Sequence, residues 1–143
     1  MATSTMHVTA SPEQVWAVIS DPTTYPRWLL GAKRIRAVDD DWPAVGSAFH
    51  HTIGVGPLVV SDATSVLELR RPERLVLHAR VGPGGINRVV FTLAPCERGG
   101  THLTMQEYPA RGPLVRLAAP LLDLLTLGRN VISLRRLRGL LLR

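Results

Sequence analysis

The sequence has few of the residues that mark disulfide scaffolds or membrane proteins. Cys96 is the only cysteine in 143 residues, so an internal disulfide cannot form. The longest strongly apolar stretch, residues 117–127, includes Pro120 and Asp123 and is well short of the roughly 20 residues that span a bilayer. Residues 1–6 are small and polar, unlike a secretory signal. We therefore expect no export, and a location in the reducing cytoplasm.

Lysine and aromatic residues are also scarce, although the formal net charge is +6. Lys33 is the only lysine, and most arginines are scattered singly, apart from a group in residues 135–143. A positive balance is typical of proteins that bind nucleic acid, but those proteins also carry a reading motif or interleaved stacking aromatics. Neither is present in the sequence, so we expect no specific nucleic-acid partner.

The first thirty residues show one strand pattern and two short helix patterns. Residues 6–10 alternate between apolar and polar, which predicts a strand. Ser11 and Gln14 form a capping-box pattern around Pro12, which predicts a helix that begins at residue 12. A second short helix is predicted over residues 25–30.

The middle of the chain changes to a period of two. Between residues 35 and 108, clusters of Gly, Pro and Asp separate about six short strands, and such short connections make neighbours antiparallel. After Gly112 and Pro113 a helical pattern continues to the end, over about 29 residues. No repeat or linker divides the chain, so residues 1–143 are predicted to form one domain.

The long C-terminal helix carries apolar residues on two sides when they are projected at 100° per residue. The helix therefore either kinks near Gly128 or covers a second apolar surface, on a neighbouring helix or in a homodimer. The stripe predicted to face the core consists of Leu114, Leu117, Ala118, Leu121, Leu125 and Ile132, and the second side of Leu127, Val131, Leu134 and Leu141.

The order of these elements and four sequence segments resemble a known superfamily. The segments are VTASPEQVW at residues 8–16, DPTTYPRW at 21–28, RPERL at 71–75 and GGTHLT at 99–104. They resemble the START-related polyketide cyclase/dehydrase and lipid-transport superfamily, also called SRPBCC or Bet v 1-like. The resemblance implies an α+β helix-grip fold, in which a curved antiparallel sheet of about seven strands wraps the C-terminal helix and leaves a cavity. Members range from carriers to cyclases, so it implies no single activity.

Alternation along the strands predicts which side chains enter that cavity. If the apolar Phe49 faces the cavity, His51 faces it too, because the two are two residues apart, and the same holds for Met105 and Glu107. Trp28 and Leu29 are predicted to lie at the mouth of the cavity. The full predicted ligand-binding set is Trp28, Leu29, Phe49, His51, Ile53, Leu77, Ala79, Phe91, Leu103, Met105, Glu107, Leu117, Leu121, Leu125 and Arg129.

Glu107 and His51 are the two residues of the predicted ligand-binding set whose side chains could exchange a proton with a ligand. An unpaired buried carboxylate costs several kcal/mol, so Glu107 needs a partner, and Arg129 on the long helix is predicted to supply it. The pair would pin helix to sheet, orient a polar ligand group, or serve proton transfer, for which a salt-bridged carboxylate is poorly suited. His51 is either a satisfied wall residue or a hydrogen-bonding partner or base for a ligand.

Three functions remain open at this stage, and none needs a cofactor. The first is a non-catalytic carrier or sensor of a hydrophobic, lipid-like or polyketide-like molecule. The second is a polyketide cyclase or aromatase that uses His51 and Glu107. In the third, the basic C-terminal turns, with Leu137, Leu140, Leu141 and Leu142, rest transiently on an anionic membrane. The histidines lack metal-ligand spacing, so no metal is expected.

Overall fold

One antiparallel sheet of seven strands forms most of the protein. The spatial order is first, seventh, sixth, fifth, fourth, third and second strand, so the last six form a meander and the first pairs with the seventh. This confirms the predicted α+β helix-grip arrangement. The strands are β1 (Ala2–Val8), β2 (Ala32–Val38), β3 (Ala48–Val55), β4 (Leu58–Arg70), β5 (Arg74–Arg80), β6 (Ile86–Pro95) and β7 (Thr101–Tyr108). The computed structural model describes residues 2–30, 32–55, 57–80, 86–108 and 113–142, without the side chains of 53–55, 58–60, 86 and 113–123.

The helices of the described ranges are α1 (Pro12–Ile19), α2 (Tyr25–Trp28) and α3 (Pro113–Leu141), with a 3₁₀ turn before α2. The predicted capping box is confirmed, because the Gln14 N–H donates to Ser11 Oγ (3.2 Å) and the Ser11 N–H donates to Gln14 Oε1 (2.8 Å). The 29-residue length of α3 also agrees with the sequence. The helix α2 is shorter than predicted, since the backbone is already extended at Leu29.

The first strand covers residues 2–8 and not the predicted 6–10. It pairs with β7 without a bulge, from Ala2 opposite Glu107 to Val8 opposite Thr101. Every second residue of β1 is buried, and one of these is Ser4. The apolar pattern misses this strand because its inward positions near the N-terminus carry small or polar side chains.

The described half of α3 packs against the sheet with a side that differs from the predicted one. Leu125 and Ile132 were expected to face the core, but they are 62% and 44% exposed, so that prediction is wrong. The face that packs inward contains Asn130, Ser133, Leu134 and Leu137, and all four are buried. Leu137 therefore cannot contact a membrane as predicted. The side chains of Leu114, Leu117, Ala118 and Leu121 lie outside the described residues.

Two polar side chains explain why this face is buried. Ser133 Oγ accepts a hydrogen bond from the Leu30 N–H (2.9 Å), and Asn130 Oδ1 accepts from Arg129 Nε (3.3 Å) and Nη2 (3.1 Å). Buried polar groups are tolerated when they are hydrogen-bonded, although Asn130 Nδ2 has no partner among the described residues. These partners come from the tertiary fold and the adjacent residue, so hydrophobic periodicity cannot identify the face.

Candidate functional site

A cavity of about 100 Å³ lies on the inner face of the sheet. Strands β2 to β7 all contribute to its wall, together with α2, the residue after it and, among the side chains that the structure describes on α3, Arg129. Most lining side chains are apolar. They are Tyr25, Leu29, Ala32, Ile35, Phe49, His51, Thr64, Leu77, Ala79, Arg80, Asn87, Val89, Phe91, Met105, Glu107 and Arg129.

An aromatic cluster forms the base of this wall. The Phe49 ring lies edge-on to Tyr25 (5.4 Å between ring centroids) and to Trp42 (5.1 Å). The Tyr25 hydroxyl donates to the carbonyl of Ile19, and burial raises the pKa of Tyr25 well above its ordinary value, with a further contribution from the Asp21 charge. Tyr25 is therefore a neutral hydrogen-bonded wall residue.

Nine of the predicted ligand-binding residues line the cavity, and their contact with a ligand stays a prediction. Alternation was a sound guide on β3, β6 and β7, because successive side chains of a strand point to opposite faces. The nine are Leu29, Phe49, His51, Leu77, Ala79, Phe91, Met105, Glu107 and Arg129.

Three predicted residues lie elsewhere. Trp28 is fully buried in the core and does not line the cavity mouth, because its ring packs edge-on against Tyr25 (5.4 Å) and Phe91 (6.2 Å). Leu103 is also core, and Leu125 projects into solvent from the outer side of α3. The side chains of Ile53, Leu117 and Leu121 lie outside the described residues.

One polar group in the cavity wall is the predicted pair of Glu107 and Arg129. Arg129 Nη2 donates to Glu107 Oε2, and Asn87 Nδ2 donates to Glu107 Oε1 (3.1 Å). The Glu107 side chain is 3% exposed and that of Arg129 is 35% exposed. Both carboxylate oxygens are thus engaged by donors, which makes Glu107 an anchored acceptor and a poor source of protons.

A second polar group is His51 with Thr64, and the exposed Arg80 is a further charged lining residue. His51 is buried, and its Nε2 lies 2.8 Å from Thr64 Oγ1, whereas Nδ1 has no hydrogen-bond partner among the described residues. Burial lowers the pKa of His51, against the opposing influence of the Asp62 carboxylate. Burial therefore favours the neutral imidazole, and its Nδ1 is a buried ring nitrogen beside the cavity.

The two polar groups lie on opposite flanks of the cavity. His51 is on β3 and Glu107 on β7, four places apart in the strand order. At about 4.8 Å between neighbouring strands, the separation measured along the curved sheet is about 19 Å. Because the sheet is curved, the straight line across the cavity is shorter than this path.

Several lining residues escaped the sequence analysis, and their signals differ. Asn87 could have been predicted from the sequence, because it lies two residues before Val89 and so continues the inward alternation of Val89 and Phe91 on β6. Thr64 faces Ala79 across β4 and β5, and only the strand register shows this.

Among the described residues, no cluster of His, Cys, Asp and Glu is suited to hold a metal ion. Likewise, no helix in that part of the chain has the length and apolarity needed to cross a membrane.

Solved structures with the same fold come from several organisms. Protein CV1439 from Chromobacterium violaceum is 22% identical, with a TM-score of 0.73, and the match covers 99% of this chain and 98% of that one. A protein from Rhodobacter sphaeroides is 25% identical, with a TM-score of 0.74, and the match covers 97% and 90% of the two chains.

A third similar structure carries a functional description. The di-domain aromatase/cyclase BexL from the BE-7585A biosynthetic pathway has a TM-score of 0.77 at 10% identity, over 96% of this chain and 48% of that one. At this identity the likeness concerns the fold alone. No curated protein matches the chain in sequence. Residues 2–140 match the family described as polyketide cyclase/dehydrase and lipid transport, and the chain belongs to that family.

Proposed function

We propose that the protein binds a hydrophobic small molecule, lipid-like or polyketide-like, in the central cavity and leaves it chemically unchanged. The observation that carries this proposal is the separation of His51 and Glu107 on different strands of a mostly apolar wall. Mostly apolar walls with a few placed polar groups are typical of small-molecule binding sites. The family description, which covers polyketide enzymes and lipid transport, is consistent with such a ligand.

The cavity must enlarge when the ligand enters. Its volume of about 100 Å³ is below the roughly 300–1,000 Å³ of typical ligand sites. Met105 is the side chain best suited to move, because methionine is unbranched and adapts its shape to its surroundings.

A titration with the neutral apolar dye N-phenylnaphthylamine tests the proposal. Ala79 lines the cavity, so Ala79→Leu should fill part of it and weaken dye binding about tenfold or more while the melting temperature is kept. Ala94→Leu is the matched control, because Ala94 is exposed on β6. Equal dye affinity in both variants and the wild type would overturn the proposed site.

Polyketide cyclisation is the competing function, and the unpartnered Nδ1 of His51 is the observation that favours it. A neutral buried imidazole is able to accept a proton from a bound substrate. Native mass spectrometry of the protein as purified identifies the small molecule that it retains. Incubation of the protein with more of that molecule, followed by a second measurement, separates the two functions. A mass loss of one water in the retained molecule, absent with His51→Gln, would establish the enzyme and exclude a carrier.

A further inference from the structure

A second hollow lies between β1 and the outer part of α3, apart from the central cavity. Its volume is about 380 Å³, and the described residues that line it are all different from those that line the cavity. This volume falls in the range typical of small-molecule sites. We call this hollow the β1–α3 groove. It is lined by Thr3, Ser4, Thr5, Met6, Leu127, Val131, Leu134, Arg135 and Arg138.

The strand side of the groove offers backbone donors. Strand β1 is outermost in the sheet, and Arg138 Nη2 donates to the His7 carbonyl (2.9 Å) from the open side. In an antiparallel strand, the N–H and C=O of one residue point to the same edge and alternate residues share that edge. Because β1 pairs with β7 without a bulge, the N–H groups of Thr3 and Thr5 also face the groove side.

The helix side of the groove is apolar at one end and cationic at the other. Leu127 and Val131 are one turn apart, and Arg135 and Arg138 follow toward the C-terminus. None of the lining residues that the structure describes is acidic, and no carboxylate of that part of the chain forms a salt bridge with either arginine. From residue 127 to residue 138 the helix rises about 16 Å.

The groove also holds a buried polar atom without a partner. Ser4 is 6% exposed, and its Oγ makes no hydrogen bond to any described residue. Buried hydroxyls are normally hydrogen-bonded, so an unsatisfied one in the wall of a hollow indicates a missing partner. The Oγ atom is almost inaccessible, so a ligand oxygen would reach it only where the groove widens beside Ser4.

We propose that the β1–α3 groove binds an amphipathic organic anion, an alkyl chain that ends in a carboxylate. The carboxylate lies between Arg135 and Arg138, on the side of the Thr5 N–H group, and the chain lies along Leu127 and Val131 toward Thr3. An added peptide strand is disfavoured, because the Arg138 side chain already occupies the His7 carbonyl that such a strand would need.

Monomeric dodecanoate, below its micelle concentration, is the probe for isothermal titration calorimetry. Arg135→Gln removes one charge-assisted contact and should weaken dodecanoate binding about tenfold or more. Arg136→Gln is the matched control, since Arg136 is the next residue, is exposed and does not line the groove. Amide signals of Thr3, Thr5 and Val131 should shift on titration.

Other outcomes would overturn the groove site. Equal weakening by Arg136→Gln would indicate a general charge effect, and binding to anionic vesicles but not to dodecanoate would indicate a lipid surface. Loss of dodecanoate binding in Ala79→Leu, with Arg135→Gln unaffected, would place the anion in the central cavity. The proposed function of the central cavity is tested independently, because Arg135→Gln should leave the affinity for N-phenylnaphthylamine unchanged.

Discussion

Arg129 on α3 donates a hydrogen bond to Glu107 on β7, and this contact joins the C-terminal helix to the inner face of the sheet. The two partners differ in burial, because the Glu107 side chain is 3% exposed and that of Arg129 is 35% exposed. Loss of the arginine would leave a buried carboxylate with Asn87 as its remaining donor among the described residues. Loss of the carboxylate charge would leave a guanidinium that reaches water.

The first prediction follows from this asymmetry. Arg129→Gln should lower the free energy of unfolding by about 2–3 kcal/mol, at the low end for a broken buried pair because Arg129 is partly exposed. Glu107→Gln should lower it by only about 1 kcal/mol, since the amide oxygen still accepts hydrogen bonds. Urea unfolding measures both, with the exposed Arg136→Gln as control. If Glu107→Gln abolished N-phenylnaphthylamine binding at unchanged melting temperature, the pair would serve the ligand and not the fold.

The second prediction concerns pH and His51. Its pKa in the folded state is lowered by burial, so the unfolded chain binds a proton on this side chain at a higher pH than the folded protein does. The free energy of unfolding should therefore fall as the pH drops below the ordinary histidine pKa of about 6.5, until the lowered folded-state pKa is passed.

Urea unfolding at about six pH values between roughly pH 7.5 and pH 5 measures this dependence. His51→Gln should flatten it, whereas the control His102→Gln, at an exposed position of β7, should not. An unchanged slope in His51→Gln would show that other groups cause the acid sensitivity.

Alternation in the sequence was sufficient to predict much of the sheet side of the cavity. Phe49 and His51 share the inner face of β3, and Met105 and Glu107 share that of β7, since each pair is two residues apart. The pairing of Glu107 with Arg129 followed from the cost of an isolated buried charge, and the structure contains it.

Hydrophobic periodicity in the sequence could not predict which face of α3 is buried or where Trp28 lies. Residues 124–142 contain no acidic side chain and have leucines on every side, so no periodicity separates core from solvent. Only the tertiary fold brings the Leu30 N–H to Ser133, which selects the buried face. Trp28 is similarly fixed by aromatic neighbours on other elements.

The third prediction compares two buried serines. Ser133→Ala removes the acceptor of the Leu30 N–H and should lower the free energy of unfolding by about 1–3 kcal/mol. Ser4→Ala removes a hydroxyl with no partner among the described residues, so it should be neutral or stabilising. Urea unfolding of both variants, with hydrogen exchange at the Leu30 amide, measures the difference. Similar losses in the two variants would contradict a specific role for the Ser133 hydrogen bond.

The last prediction concerns the turn that precedes β7. Gly99 and Gly100 both have positive φ (90° and 84°), so alanine at either position is strained, at a cost of about 1–2 kcal/mol. At Gly100 a Cβ would also overlap the Val8 carbonyl oxygen, whereas at Gly99 it would meet nothing within 4 Å. Gly100→Ala should therefore cost about 3 kcal/mol or more and loosen the end of β1, while Gly99→Ala should cost the backbone strain alone. Thermal unfolding, with hydrogen exchange in β1, measures both effects. Equal losses would mean that β1 shifts away from the turn at little cost, and that the close approach of Val8 to Gly100 does not hold the strand in place.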